Sequence, residues 1–218
     1  MHAFKNAIAA AAVVAVATSA ASAVTITQFN FPGNNGQVNQ LTPTIQAANT
    51  SASDIQFTNI TNVSTTDFAL RVNGFPSTSG LTDFFFFSVE ADPGFVIDYD
   101  SVSVIYRQQG TPPDATVTLA AGTDPTFSAG TFEIVDTIAI TNVGFGAEST
   151  LSGSVSLATT GAPTYFAVFV SDVDSGTPGQ PVYRFDTFAV EGEVLVPEPA
   201  TASALLLGLG TLAMRRRR

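Results

Sequence analysis

Asp172-Val173-Asp174-Ser175-Gly176 sets two carboxylates two residues apart ahead of a glycine, the way an oxygen-ligated calcium loop opens. A complete loop would add a third oxygen ligand and a distal glutamate, and neither stands at the required spacing. The segment therefore reads first as a solvated turn and second as a Ca2+ site on Asp172 and Asp174. Asp92, Asp98 and Asp100 surround another turn, where either a divalent cation or Arg107 would offset their repulsion. Sugar rings call for flat aromatic faces, and the tyrosines available are Tyr99, Tyr106, Tyr165 and Tyr183. Carboxylate pairs could run glycoside hydrolysis, but among 18 acidic residues pairs arise by chance and no spacing marks one.

What is missing excludes more chemistry than what is present suggests. The one histidine is His2 and the only lysine is Lys5, while cysteine and tryptophan do not occur. Beyond residue 23 the chain therefore has no means to build a serine-histidine or cysteine-histidine nucleophile, a histidine zinc site, a thiolate metal centre, a lysine Schiff base or a disulfide. Before the terminal arginines, Arg71, Arg107 and Arg184 stand against all 18 acidic residues, a net −15. Such a body repels nucleic acid and anionic lipid and favours neutral or cationic partners.

The elements that would position these residues are strands. Val24 to Phe31 alternates apolar and polar side chains, and Pro32-Gly33-Asn34-Asn35-Gly36 ends it in turn formers. The same grammar predicts strands over Ile55–Ile60, Asp67–Val72, Asp83–Glu90, Gly94–Asp98, Ser101–Gln108, Ala115–Ala120, Thr131–Ile140, Thr150–Leu157, Thr164–Ser171 and Val182–Val194. No segment of the body carries a 3.6-residue apolar period. About ten short strands with two apolar faces to bury predict an all-β fold, a two-sheet antiparallel sandwich. Phe84-Phe85-Phe86-Phe87 is apolar on both strand faces, which suits a covered central strand, and Asp83 and Glu90 flank it as charged gatekeepers.

The two ends follow a different logic. Lys5, the small apolar run from Ala7 to Ala17 and the small residues Ala21 and Ala23 make Met1 to Ala23 a secretory signal peptide, cut after Ala23 by signal peptidase. At the other end Ala200 to Met214 would form a helix only about 22 Å long, short of the ~30 Å hydrocarbon core. Arg215, Arg216, Arg217 and Arg218 then act as a stop-transfer block that keeps the body on the outer side of the membrane. Pro197 and Pro199 hold the segment between body and helix extended and accessible.

Pro197-Glu198-Pro199, the apolar helix and the arginine block together resemble the PEP-CTERM sorting signal of exported bacterial proteins. That resemblance implies cutting by an exosortase near Pro197, Glu198 and Pro199 after a transient stay in the inner membrane, then delivery to the cell surface or extracellular matrix. Phe86 to Val89, Gly94 to Asp98, Ser101 to Val104, Tyr165 to Val170 and Tyr183 to Gly192 are similar to successive strands of the jelly-roll ectodomains found with this signal. The chain then divides into a signal peptide (1–23), a sandwich ectodomain (24–194) and a sorting segment (195–218). The expected role is non-enzymatic: a structural, adhesion or weak glycan-binding module of a biofilm or exopolysaccharide layer, with extracellular polysaccharide as partner and Ca2+ as the one cofactor its residues could take. The alternative is a secreted carbohydrate-active hydrolase working through acidic residues.

Overall fold

A computed structural model describes residues 23–31, 41–60, 62–66, 69–73, 81–109, 115–140, 148–157, 162–171 and 182–196. The described strands are β1 (Val24–Asn30), β2 (Ile45–Gln46), β3 (Thr50–Ala52), β4 (Gln56–Thr58), β5 (Asn62–Thr66), β6 (Ala69–Asn73), β7 (Phe84–Ala91), β8 (Val96–Gln109), β9 (Ala115–Gly122), β10 (Phe132–Ile140), β11 (Glu148–Ser154), β12 (Thr164–Ser171) and β13 (Val182–Leu195). They form two antiparallel sheets, the jelly-roll-like sandwich expected from the alternating pattern. In the first sheet β11, β8 and β13 lie in order. The far edge of β13 is shared by β1, which leads to β2, and by β6, which leads to β5. The second sheet runs β10, β9, β12, β7, with β3 and β4 sharing the outer edge of β7. The two terminal helices expected from the sequence lie outside the described residues, and no described helix is long and apolar enough to cross a membrane.

Alternation along each strand sends one set of side chains between the sheets. Phe85 and Phe87 of β7 and Phe166 and Val168 of β12 face Phe29, Val104, Phe185 and Phe188, all fully buried. Ring centroids of Phe85 and Phe185, and of Phe87 and Phe188, lie 4.8 Å apart in edge-on contact. Each such side chain contributes about 1.5–3 kcal/mol through burial, so this interlayer fixes the packing of one sheet on the other.

The four consecutive phenylalanines do sit under cover on both faces, and the second cover is local. Phe84 and Phe86 point away from the sandwich interior into a smaller cluster with Ala120, Ala167, Phe169 and Phe127. The loop between β9 and β10 folds Phe127 back over this outer face, 5.3 Å from Phe84 and 5.4 Å from Phe169 between ring centroids. To reach there Phe127 adopts φ 48°, a left-handed conformation that a bulky residue rarely takes. The Asp124 carboxylate holds the turn by accepting from the Thr126 amide at 2.7 Å and hydroxyl at 2.6 Å, bonds that lower its pKa below the ordinary carboxylate value.

Two sequence expectations change. The strands expected at 94–98 and 101–108 are a single strand, β8, and its register against β13 jumps from Ser101 to Tyr99, leaving Asp100 as a bulge. The consecutive polar residues Asp100 and Ser101 break the alternation there, which is why the sequence reads as a turn. Asp83 is buried, not an exposed gatekeeper: its carboxylate accepts from the Thr82 hydroxyl at 3.1 Å. Glu90 is exposed as expected.

The open side between β10 and β11 is closed by acids. Glu133 accepts from the Ser156 amide at 2.7 Å and from the Ser156 hydroxyl, and Asp136 accepts from the Ser152 amide at 3.0 Å. These carboxylates occupy edge amides that would otherwise present a template for pairing.

Candidate functional site

The outer face of the first sheet collects the polar residues that alternate with the core. Inward Tyr183 and Phe185 bracket Arg184, inward Tyr106 precedes Arg107, and Leu70 and Val72, opposite Phe185 and Tyr183, bracket Arg71. Register then aligns them: Arg184 lies directly opposite Arg71 on β6 and directly opposite Arg107 on β8. Arg107 is in turn opposite Glu148 on β11, and Arg71 opposite Ser64 on β5. The three arginines of the body, scattered over more than a hundred residues of sequence, thus occupy one row running across the strands at about 4.8 Å per step. Like charges directly opposite one another are destabilising, and the row ends on a carboxylate residue, Glu148, opposite Arg107.

The same face is acidic at its other end. Asp98 of β8 lies directly opposite Glu193 of β13. With Asp100, Tyr99 and Ala23 they line a cleft of about 280 Å3. Close strand approach creates this end: a Cβ on Gly192 would lie 2.3 Å from the Asp98 carbonyl oxygen, so the position requires glycine. One step inward, Ser101 donates to Glu191 at 3.3 Å. From Arg184 to Glu193 is nine residues along β13, roughly 30 Å at ~3.3 Å per residue. Between these ends stand Asn30, Thr187, Ile105 and Thr150 in one cross-strand row and Gln28, Ala189, Ser103 and Ser152 in the next. The Asn30 side-chain oxygen accepts from Gln28 at 2.6 Å and from Thr187 at 3.4 Å. The result is a mainly polar face, with Ile105 and Ala189 among its hydroxyls and amides, that carries arginine positions towards one end and acids at the other.

The sequence candidates distribute unevenly over this map. Asp98 and Asp100 meet at the cleft, whereas Asp92 sits in the turn between β7 and β8, its amide donating to the Asn49 carbonyl, and does not line the cleft. Among the described residues no three acidic groups converge closely enough to hold a metal ion. Arg107 is not the partner of these aspartates, because it lies seven residues along β8 from Asp100 and opposite Glu148 and Arg184. Three tyrosines belong to the core. The Tyr99 hydroxyl donates to the Val89 carbonyl at 3.2 Å; burial pushes its pKa up to about 12, against the opposing pull of its Thr164 hydrogen bond. Burial likewise raises Tyr106, with Ser149 pulling the other way, and raises Tyr183. Tyr165 alone is partly exposed, on the outer face of the second sheet beside Phe86.

Ala23 is described, exposed, and borders the acidic cleft. Ala21, Pro197, Glu198, Pro199, Arg215, Arg216, Arg217, Arg218, Asp172 and Asp174 lie outside the described residues. The arginine row escaped sequence reading. Alternation could have placed each arginine on an outer face, but only register shows that they are neighbours.

The class that fold and site define is a two-sheet antiparallel β-sandwich with an electrostatically polarised outer face. No family model matches the chain, and no curated protein matches it. Among solved structures the chain is similar to the CBM22-1 xylan-binding domain from Paenibacillus barcinonensis Xyn10C, with 12% identity and a TM-score of 0.45 over 80% of this chain and 97% of that one.

Proposed function

We propose that this is an exported protein, sorted through its C-terminal segment to the cell surface or extracellular matrix, whose sandwich serves as a non-enzymatic glycan-engaging or structural module. The observation that carries the reading is the position of the two chain ends. Val24 pairs with Gly192, and β13 ends three residues later at Leu195, so the start of β1 and the end of β13 lie side by side at one pole. Val24, Leu195 and Val196 are 50%, 38% and 67% exposed there, which leaves apolar surface at this pole. From Val196 to Ala200 the chain spans at most about 14 Å when fully extended. A membrane holding residues 200–214 would keep this pole close and turn the arginine end of the polarised face outward.

Two experiments test the reading. Replacing both Pro197 and Pro199 by alanine should leave an uncut, membrane-bound form; normal release of that variant would remove the sorting assignment. The exported protein should be retained on surface polysaccharide without shortening it. Release of reducing ends that D98N or E193Q abolishes would replace this reading with a hydrolase working through the acidic cleft.

A further inference from the structure

Resting on the export reading, we propose that Asn49 is a glycan attachment site, its side-chain amide receiving a sugar from a lipid-diphosphate-linked donor on the outer side of the membrane. Exported asparagines in the pattern Asn-x-Ser/Thr, with x other than proline, are the acceptors of such transfer. The chain carries that pattern at Asn49-Thr50-Ser51, Asn59-Ile60-Thr61 and Asn62-Val63-Ser64. The fold separates the first two. Asn59 has its amide nitrogen engaged, donating to the Thr82 carbonyl at 3.0 Å. Thr61 and the side chain of Asn62 lie outside the described residues. Asn49 is exposed in the turn between β2 and β3, and among the described residues no hydrogen bond engages its side chain.

The local structure holds that amide outward. Asn49 takes φ 63°, a left-handed conformation that asparagine tolerates better than most side chains. Its carbonyl accepts from the Asp92 amide at 2.9 Å, and the Thr50 hydroxyl donates to the Ala47 carbonyl at 2.8 Å, so the turn is fixed without the Asn49 side chain. Thr50 then enters β3 facing inward, 5% exposed, while Asn49 and Ser51 on either side of it are exposed. The two groups that the acceptor pattern requires, amide and hydroxyl, therefore both face solvent. β3 pairs with β7 on one side and ends its sheet, so a glycan here leaves over an edge. In the transfer the amide nitrogen bonds to the anomeric carbon of the sugar and loses a proton to a base of the transferase. The bond from that carbon to the diphosphate oxygen breaks, and the lipid diphosphate departs with the electron pair.

The test uses the full chain, exported by its own host and recovered from the cell surface, with chymotryptic peptides read by tandem mass spectrometry. Peptides spanning Asn49 are expected to carry added sugar mass, and fragmentation should place it on the Asn49 side chain. S51A deletes the hydroxyl without touching the turn and should abolish the modification. N49D keeps a side chain that tolerates φ 63° and should abolish it too. N59D should leave it intact. Position 51 is an exposed strand residue, so S51A should melt as the wild type does by circular dichroism, and it decides the matter if N49D fails to fold. Unmodified Asn49 in protein that begins at Val24 overturns the inference and leaves the export reading in place. Surface material that still begins at Met1 removes both. Sugar retained in S51A, or found at Asn59 or Asn62 in place of Asn49, also overturns the inference.

Discussion

Replacing Phe127 separates two contributions that usually travel together, burial and backbone strain. The side chain is 5% exposed and closes the cluster of Phe84, Phe86 and Phe169, while its backbone sits at φ 48°. Truncating a buried phenylalanine to alanine costs about 3–5 kcal/mol, and the lower end applies because this cluster is small and lies under a surface loop. Alanine keeps the cost of the left-handed conformation, about 1–2 kcal/mol, whereas glycine does not. F127A should therefore cost about 3 kcal/mol and F127G only about 2 kcal/mol, although glycine removes one more carbon. For a domain of this size about 1 kcal/mol corresponds to roughly 2–4 °C in Tm, so F127A should melt roughly 6–12 °C below the wild type and F127G a few degrees above F127A. Circular dichroism melts of the three proteins, with urea titration as a second measure, give the order directly. A glycine variant no more stable than the alanine variant would refute the strain argument. An alanine variant within about 1 kcal/mol of wild type would refute the burial argument.

Two further outcomes follow from the hydrogen bonds and the buried hydroxyls. E133Q combined with D136N weakens the acceptors of the Ser156 and Ser152 amides, and because both acids are near the surface the stability change should stay near 1 kcal/mol. Hydrogen exchange should quicken at those two amides first, and unchanged exchange there would mean that the carboxylates do not close this edge. Tyr99, Tyr106 and Tyr183 have pKa values raised by burial above the ordinary value of 10.0. Their protonated forms are favoured in the folded state, so the stability they confer is complete below about pH 10 and is lost as pH rises through the folded values, about 12 for Tyr99. Ultraviolet titration should show tyrosinate from these three appearing together with unfolding; early ionisation in the folded protein would place them nearer solvent.

Alternation made the fold class legible, because β1, β7, β9, β12 and β13 each keep an apolar face that survives turns on either side. Thr164–Ser171 is a strand with the bounds its residues predict, and the Phe84 to Phe87 run is covered on both faces as its composition demands. The short strands Ile45–Gln46 and Thr50–Ala52 left too few residues to alternate, and Asn62–Thr66 is polar enough to read as loop. The bulge at Asp100 hid the continuity of β8, since one extra residue shifts the period by half a cycle. The site was less legible than the fold. Asp98 and Asp100 stood out as local clusters, but the alignment of Arg71, Arg107 and Arg184 depends on long-range register, which local pattern does not encode.

The most direct test of the account is the mature termini of the protein recovered from the cell surface, read by intact mass and terminal-peptide mass spectrometry. The account predicts an N-terminus at Val24, at the pole where β1 meets β13, and a C-terminus at or near Pro197 to Pro199 with Arg215 to Arg218 gone. Surface material that still begins at Met1 or still carries the four arginines would contradict it.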